Sequence, residues 1–168
     1  MVRLRPFKKQ DIGKILPWLT DERVMAMWNS GAFTYPLTEA QLLARMEEAE
    51  RSDREWVMAG LDEDGQVIGH LYMCNADYEN NSLHLGMIVV DHTKRGQGLG
   101  VQMLQKAVEY AFLVLGMQKV TLCVYDCNPR AHACYRKVGF RDDYIEENSY
   151  VYHEEVWNRQ HMVIEREA

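Results

Sequence analysis

The sequence contains no long apolar run, and this absence excludes a class of protein. No segment approaches the roughly 20 consecutive apolar residues that a membrane-spanning helix needs. Residues 1–6 also lack the apolar stretch of a signal peptide. We therefore expect a cytoplasmic protein without a membrane partner. Its 168 residues, 47% of them hydrophobic and 26% charged, are typical of one globular domain covering residues 1–168.

Cysteine is scarce, and its spacing argues against a metal centre. The four cysteines form no Cys-x-x-Cys pair, which makes zinc-binding and thioredoxin-type sites poor interpretations. In a reducing compartment we expect them to be free thiols. The sequence therefore predicts no metal site. The cysteines are Cys74, Cys123, Cys127 and Cys134.

The sequence also has fewer basic residues than acidic ones. Lysine and arginine number 19 against 25 acidic residues, for a formal net charge of −6, which argues against binding nucleic acid through a basic surface. The acidic residues cluster after Phe140. They indicate either a solvated sheet edge protected by charge or a surface that attracts a cationic substrate or basic partner. The C-terminal strands could also pair between two copies, so a homodimer is one expectation.

Hydrophobic periodicity and turn residues predict the element order βααβββαβαββ, a mixed α/β fold. Pro17 predicts a kink or break in the first helical segment. Thr38 and Asn128 are good helix N-caps. The predicted strands cover residues 2–7, 55–61, 66–74, 82–90, 119–125, 140–152 and 158–165, and the predicted helices cover residues 11–28, 38–51, 99–115 and 129–138.

A glycine-dense turn, Arg95-Gly96-Gln97-Gly98-Leu99-Gly100, runs directly into an amphipathic helix. Such a turn presents backbone N–H groups at a helix N-terminus, where they and the helix dipole attract phosphate. A dinucleotide-binding fingerprint would need a third glycine where Val101 stands, and a P-loop would need a following Gly-Lys-Ser/Thr. The turn therefore predicts an anion site of another kind.

Two motifs together resemble a known family. Arg95-x-x-Gly98-x-Gly100 resembles the pyrophosphate-binding signature of the GCN5-related N-acetyltransferases, which use acetyl-CoA. Downstream, Asn128, Tyr135 and Gly139-Phe140 resemble the family's second CoA motif. The resemblance covers roughly residues 55 to 140. It implies a mostly antiparallel central sheet flanked by helices, in which the fourth and fifth strands splay apart.

A weaker resemblance concerns the branch of the family. Arg3-Leu4-Arg5 with Trp28-Asn29 resembles the ribosomal-protein N-terminal acetyltransferases and their small-amine relatives.

The family resemblance implies how acetyl-CoA is held. Backbone N–H groups of the glycine turn would bind the pyrophosphate, and the end of the fourth strand would pair with the pantetheine arm like an added strand. A backbone N–H near Val89 or Val90 would polarise the thioester carbonyl. The implied cofactor-binding residues are Ile88, Val89, Val90, Arg95, Gly96, Gln97, Gly98, Leu99, Gly100, Val101, Asn128 and Tyr135.

Tyr135 and His84 are the candidate catalytic residues. The resemblance implies that Tyr135 is the general acid for the departing thiolate; the alternative is an ordinary core tyrosine. His84 lies six residues before Val90, the offset at which histone acetyltransferases of this superfamily place their catalytic glutamate. A histidine titrates in the range useful to a base, although His84 is equally interpretable as a hydrogen-bonded strand residue.

The candidates for the acceptor site are four residues at the end of the first helical segment and just beyond it. They are Trp28, Asn29, Phe33 and Tyr35. The resemblance implies that this region borders the acceptor, and ordinary packing is the alternative.

The predicted function is acetyl transfer from acetyl-CoA to a primary amine by direct attack in a ternary complex. The acceptor could be a protein N-terminus, a polyamine or a small amine. The competing functions are a non-catalytic acyl-CoA sensor and an interaction module that uses the acidic strands.

Overall fold

A single seven-stranded sheet organises the part of the chain that the computed structural model describes, residues 1–167. Ala168, the last residue of the expected domain, lies outside the described residues. The strands are β1 (Arg3–Pro6), β2 (Trp56–Leu61), β3 (Val67–Asp77), β4 (Ser82–Val90), β5 (Lys119–Tyr125), β6 (Arg141–Tyr152) and β7 (Glu155–Glu165), and the helices are α1 (Ile12–Ile15), α2 (Glu22–Asn29), α3 (Glu39–Glu50), α4 (Leu99–Leu113) and α5 (Pro129–Val138).

The predicted element order is confirmed, with small differences in bounds. Around Pro17 the chain forms a 3₁₀ turn that separates α1 from α2, because proline cannot continue the helix. Strand β3 runs three residues further than predicted, since Asp77 pairs with Ser82 of β4. Strand β7 begins three residues earlier, where Glu155 closes the hairpin with β6.

The order of the strands is β1-β2-β3-β4-β5-β7-β6, and every neighbouring pair is antiparallel except β4 and β5. These two parallel strands pair only where residues 82–84 meet residues 119–121. Beyond that point they diverge, and the rest of β4 has no partner on the β5 side. The mostly antiparallel sheet and the expected splay between the fourth and fifth strands are both confirmed.

A bulge in β4 changes the course of that strand. His70 pairs with Val89 and Tyr72 with Gly86, so β4 carries one more residue than β3 between these pairs. Met87 has a φ of +47°, and its carbonyl accepts a hydrogen bond from Nδ1 of His70 at 3.1 Å. Bulges bend a strand and increase its twist, which helps β4 to leave β5.

Helices cover both faces of the sheet. Met103, Leu104 and Ala107 of α4 are fully buried against the β-strands of one face. A second cluster, which includes Ile15 of α1 and Met46 of α3, covers the other face of the first strands. In the C-terminal half of β4, Ile88 and Val90 pack against the first cluster, and Met87 and Val89 pack against the second. Within residues 1–167, no helix has both the length and the apolar character that crossing a bilayer requires.

The burial of His70 predicts a specific loss of stability in acid. Burial lowers the pKa of His70 to about 4, against the opposing effect of the Met87 carbonyl. An unfolded histidine titrates near 6.5, so the unfolded chain binds the proton first and the free energy of unfolding falls as pH drops from about 6.5 towards 4. A glutamine side chain at this position could still donate to the Met87 carbonyl but could not titrate. We expect His70→Gln to reduce the stability loss between pH 7 and pH 5 by about 2 kcal/mol.

Urea unfolding at the two pH values measures this difference. His153→Gln is the matched control, because His153 is exposed on the β6–β7 turn. Equal pH dependence in the parent protein and in the His70 variant would contradict the prediction.

Candidate active site

The splay between β4 and β5 opens a cleft of about 710 Å³. The glycine turn and α5 meet at one part of its lining, where a Cβ on Gly100 would lie 3.5 Å from Cys134 Sγ. Helix α2 lines another part near Tyr125, with which Ala26 shares a buried cluster. Most of the predicted site residues line it, whereas Gln97, Phe33 and Tyr35 do not. The predicted residues along its walls are Trp28, Asn29, His84, Ile88, Val89, Val90, Arg95, Gly96, Gly98, Leu99, Gly100, Val101, Asn128 and Tyr135.

The glycine turn is held open towards the cleft. Asp91 accepts hydrogen bonds from the backbone and hydroxyl of Thr93, and Lys94 Nζ binds Asp62 of the β2–β3 hairpin at 2.6 Å. Gly98 has a φ of +72°, which favours glycine, and a Cβ there would meet only open space. Within the described chain, the amides of residues 95–101 donate to no protein acceptor.

These unpartnered amides fit an anionic group such as a pyrophosphate. They lie in the turn that leads into the N-terminus of α4, where the helix dipole also favours negative charge. Four basic side chains line the same region of the cleft. They are Lys94, Arg95, Arg130 and Lys137.

Helix α5 brings two predicted residues to the cleft. Asn128 caps the helix, because its Oδ1 accepts the amide of Ala131 at 3.2 Å. Tyr135 is 7% exposed, and burial raises the pKa of its phenol above the usual value of 10. Its hydroxyl makes no hydrogen bond to another part of residues 1–167. The phenol therefore keeps its proton at neutral pH and has that proton free to donate.

His84 lies on the cleft wall in its neutral form. Its Nδ1 is 2.9 Å from Thr121 Oγ1, and that hydroxyl donates to the carbonyl of Leu83 at 3.4 Å. Nδ1 therefore donates to Thr121, and Nε2 keeps its lone pair. Burial, followed by the charges of His161 and Arg159, lowers the pKa of His84 to about 4. His84 can accept a hydrogen bond from an amine, but it is a weak base.

The open edge of β4 provides backbone groups for an extended ligand. Val90 and Val89 pair with Gly69 and His70 on the β3 side. Their other side faces the splay, where β5 does not pair with them. An unpaired strand edge can bind an extended chain through backbone hydrogen bonds.

The predicted acceptor wall is divided between two cavities. Trp28 and Asn29 line the main cleft, but Phe33 and Tyr35 line a second cavity of about 230 Å³. Asn29 borders both cavities. Phe33 stacks on Trp28 with ring centroids 5.7 Å apart, and the Tyr35 hydroxyl donates to the Thr20 carbonyl. The chain turns at Ser30, whose φ is +53°, and this turn directs Phe33 and Tyr35 away from the cleft.

Sequence reasoning missed the wall formed by β5 and β7. Cys123 and Tyr125 of β5 line the cleft together with Arg159 of β7. Side chains alternate along a strand, so the pairing of His84 with Thr121 puts Cys123 and Tyr125 on the same face. The alternation of side chains along residues 119–125 could therefore have identified Cys123 and Tyr125 as cleft residues. Arg159 comes close only because β7 pairs with β5.

The sequence of the chain is similar to those of known acetyltransferases. The model of the acetyltransferase (GNAT) family matches residues 15–140. The chain is 25% identical to the spermidine N(1)-acetyltransferase of Escherichia coli (strain K12) over 139 residues, which are 83% of this chain and 72% of that protein. It is 26% identical to a putative ribosomal N-acetyltransferase of Bacillus subtilis (strain 168) over 92 residues, which are 55% and 50% of the two chains.

A solved structure shows the same fold. The spermidine N-acetyltransferase from Vibrio cholerae in complex with CoA and spermine superimposes with a TM-score of 0.85 at 19% sequence identity. The match covers 98% of this chain and 95% of that one.

Proposed function

The chain belongs to the acetyltransferase (GNAT) family, and we propose that its cleft transfers the acetyl group of acetyl-CoA directly to a primary amine. The observation that carries the proposal is the cleft itself. It joins a row of unpartnered amides at one end to the open edge of β4, the phenol of Tyr135 and the imidazole of His84.

Different residues of the chain bind different parts of acetyl-CoA. When bound, acetyl-CoA supplies the activated acetyl thioester. The amides of residues 95–101 bind its pyrophosphate, with Arg95 adding charge. Residues 88–90 present their unpaired edge to the pantetheine arm. A backbone N–H near Val89 or Val90 donates to the carbonyl oxygen, which gains negative charge as the amine attacks.

Tyr135 manages the proton of the leaving group. Its Oη donates a proton to the departing sulfur, and burial keeps that proton on the phenol until then. A thiol with a pKa near 8.5 is already a fair leaving group. Tyr135 therefore accelerates the reaction without being indispensable.

The amine must attack in its uncharged form. Nε2 of neutral His84 accepts a hydrogen bond from the amine and helps to orient its lone pair. Since the pKa of His84 is low, it removes protons poorly from strongly basic amines. An α-amine with a pKa near 8 is thus easier to use than an alkyl amine near 10.4. Polyamines, protein N-termini and small amines are the three candidate acceptor classes.

A thiol-release assay tests the proposal. N-terminal peptides, polyamines, amino acids and aminoglycosides are each supplied with acetyl-CoA, and free thiol and the mass of the acetylated amine are measured together. We expect amine-dependent release with one class. Tight binding of CoA without release in any reaction would favour the non-catalytic sensor instead.

A further inference from the structure

We propose that Arg159 and Asn29 form an anion-binding subsite at the acceptor end of the cleft, and that the acceptor is a primary amine that also carries a carboxylate. The inference rests on the proposed amine acetylation and specifies the class of substrate. Each amine that carries a carboxylate has a close analogue that lacks it. Amines with and without the carboxylate can therefore be compared in pairs as substrates.

The charges along the cleft favour an anionic substrate. No aspartate or glutamate is present among the cleft-lining residues of the described chain, whereas five of these residues are lysine or arginine. Four of the five lie at the phosphate-binding end. The fifth, Arg159, lies on β7, across β5 from β4. Within residues 1–167, its polar partners are Tyr125 of β5 and Glu146 of β6, not residues of the glycine turn.

The guanidinium of Arg159 is fixed but not fully paired. Its Nη2 donates to the Tyr125 hydroxyl at 2.9 Å, and its Nη1 lies 3.5 Å from Glu146 Oε2. Glu146 Oε2 also lies 3.1 Å from Nε2 of His161, so Arg159 is not the only hydrogen-bonding partner of that oxygen. The N–H of Arg159 Nε is buried without an acceptor. Arg159 therefore retains both charge and hydrogen-bonding capacity beside the cleft.

Helix α2, which shares a buried cluster with Tyr125 through Ala26, supplies a second unpartnered donor to the cleft lining. Asn29 is 5% exposed, and its Oδ1 accepts the amide of Gly31 at 2.7 Å. This bond fixes the carboxamide, so Nδ2 remains as a buried donor without an acceptor. The indole Nε1 of Trp28 is in the same state. All three unpartnered buried atoms on the described cleft walls are thus donors, and a carboxylate offers about four lone pairs to them.

A polyamine matches these walls less well. Its additional ammonium groups need acidic partners, and the cleft lining has none within residues 1–167. The adjoining second cavity contains Glu22, but this carboxylate already faces His153 at 3.5 Å. The weak basicity of His84 also favours an amine of lower pKa, such as the α-amine of an amino acid.

Matched amine pairs test the subsite. Phenylalanine is compared with phenethylamine, lysine with cadaverine, and O-phosphoethanolamine with ethanolamine, by kcat/KM in the thiol-release assay. We expect the carboxylated member of a pair to be preferred at least about tenfold, and the third pair reports whether a phosphate substitutes for the carboxylate. In Arg159→Gln this ratio should fall towards one, and Arg159→Lys should restore part of it.

Arg141→Gln is the control, because Arg141 lies on β6 outside the cleft and pairs with Glu165. It should keep the parent ratio. The subsite is also tested without variants, since a simple dicarboxylate that lacks an amine should compete with the acceptor in the parent enzyme. Equal kcat/KM values for both members of the carboxylate pairs, or a preference for cadaverine, would overturn the proposed subsite. The proposed acetyltransferase activity would not be affected by that result. No release with any amine would overturn both.

Discussion

Replacing Tyr135 with phenylalanine should lower kcat about 10²- to 10³-fold, the lower part of the typical contribution of a general acid because a thiol is already a fair leaving group, while CoA binds nearly as well as before. The phenol is the proposed proton donor on the cleft lining, and burial raises its pKa so that the proton is retained. Removing the oxygen deletes the donor but leaves the ring packed against Phe140, 6.5 Å away between centroids. The departing thiolate then has to leave without a proton.

Steady-state kinetics and calorimetric titration with CoA separate these two effects. Tyr110→Phe is the control, because Tyr110 lies on the neighbouring helix α4 outside the cleft. If the Tyr135 variant keeps full activity over the whole pH range, the residue is a structural core tyrosine and not the acid.

A negative charge placed in the glycine turn should weaken CoA binding about 100-fold. Gly98 has a φ of +72° with open space around it, and aspartate and asparagine are among the residues that tolerate this conformation. Gly98→Asp and Gly98→Asn therefore share the same backbone strain and side-chain volume but differ in charge. Near a protein surface, where the effective dielectric constant is about 20, two unit charges about 6 Å apart interact by about 2.7 kcal/mol, which corresponds to the expected 100-fold loss.

Titration of both variants with CoA at low and high salt measures the effect. The Asn variant accounts for strain, and the additional loss in the Asp variant should shrink as salt increases. Gly13→Ala, at an open position in α1, should bind CoA like the parent. Equal affinities for the Asp and Asn variants would mean that the pyrophosphate does not bind at this turn.

The parts of the site that could be predicted are those encoded by local sequence. The turn before α4 and the cap of α5 depend on neighbouring glycines and on Asn128, so their geometry follows from short-range rules. Arg159 could not be found this way, because it reaches the cleft through the pairing of β7 with β5. For His84, the position was predictable but the low pKa was not, since burial results from the whole fold.

Two cysteines on the cleft walls raise the question of an acyl-enzyme route. Cys123 and Cys134 both line the cleft. Burial raises the pKa of both thiols, and for Cys123 the nearby charge of Arg159 only partly opposes this effect. Because the thiolate is the nucleophilic form, neither cysteine is set up to accept the acetyl group. The structure therefore favours direct attack by the amine.

Initial-velocity kinetics with both substrates varied test direct transfer most simply. Acetyl-CoA and the best amine of the panel are each varied at several fixed concentrations of the other. Direct attack in a ternary complex predicts double-reciprocal lines that intersect, and no acetylated protein when acetyl-CoA is supplied alone. Parallel lines, together with a stable acetyl group on Cys123 or Cys134, would contradict the central claim that the cleft passes the acetyl group from CoA to the amine in one step.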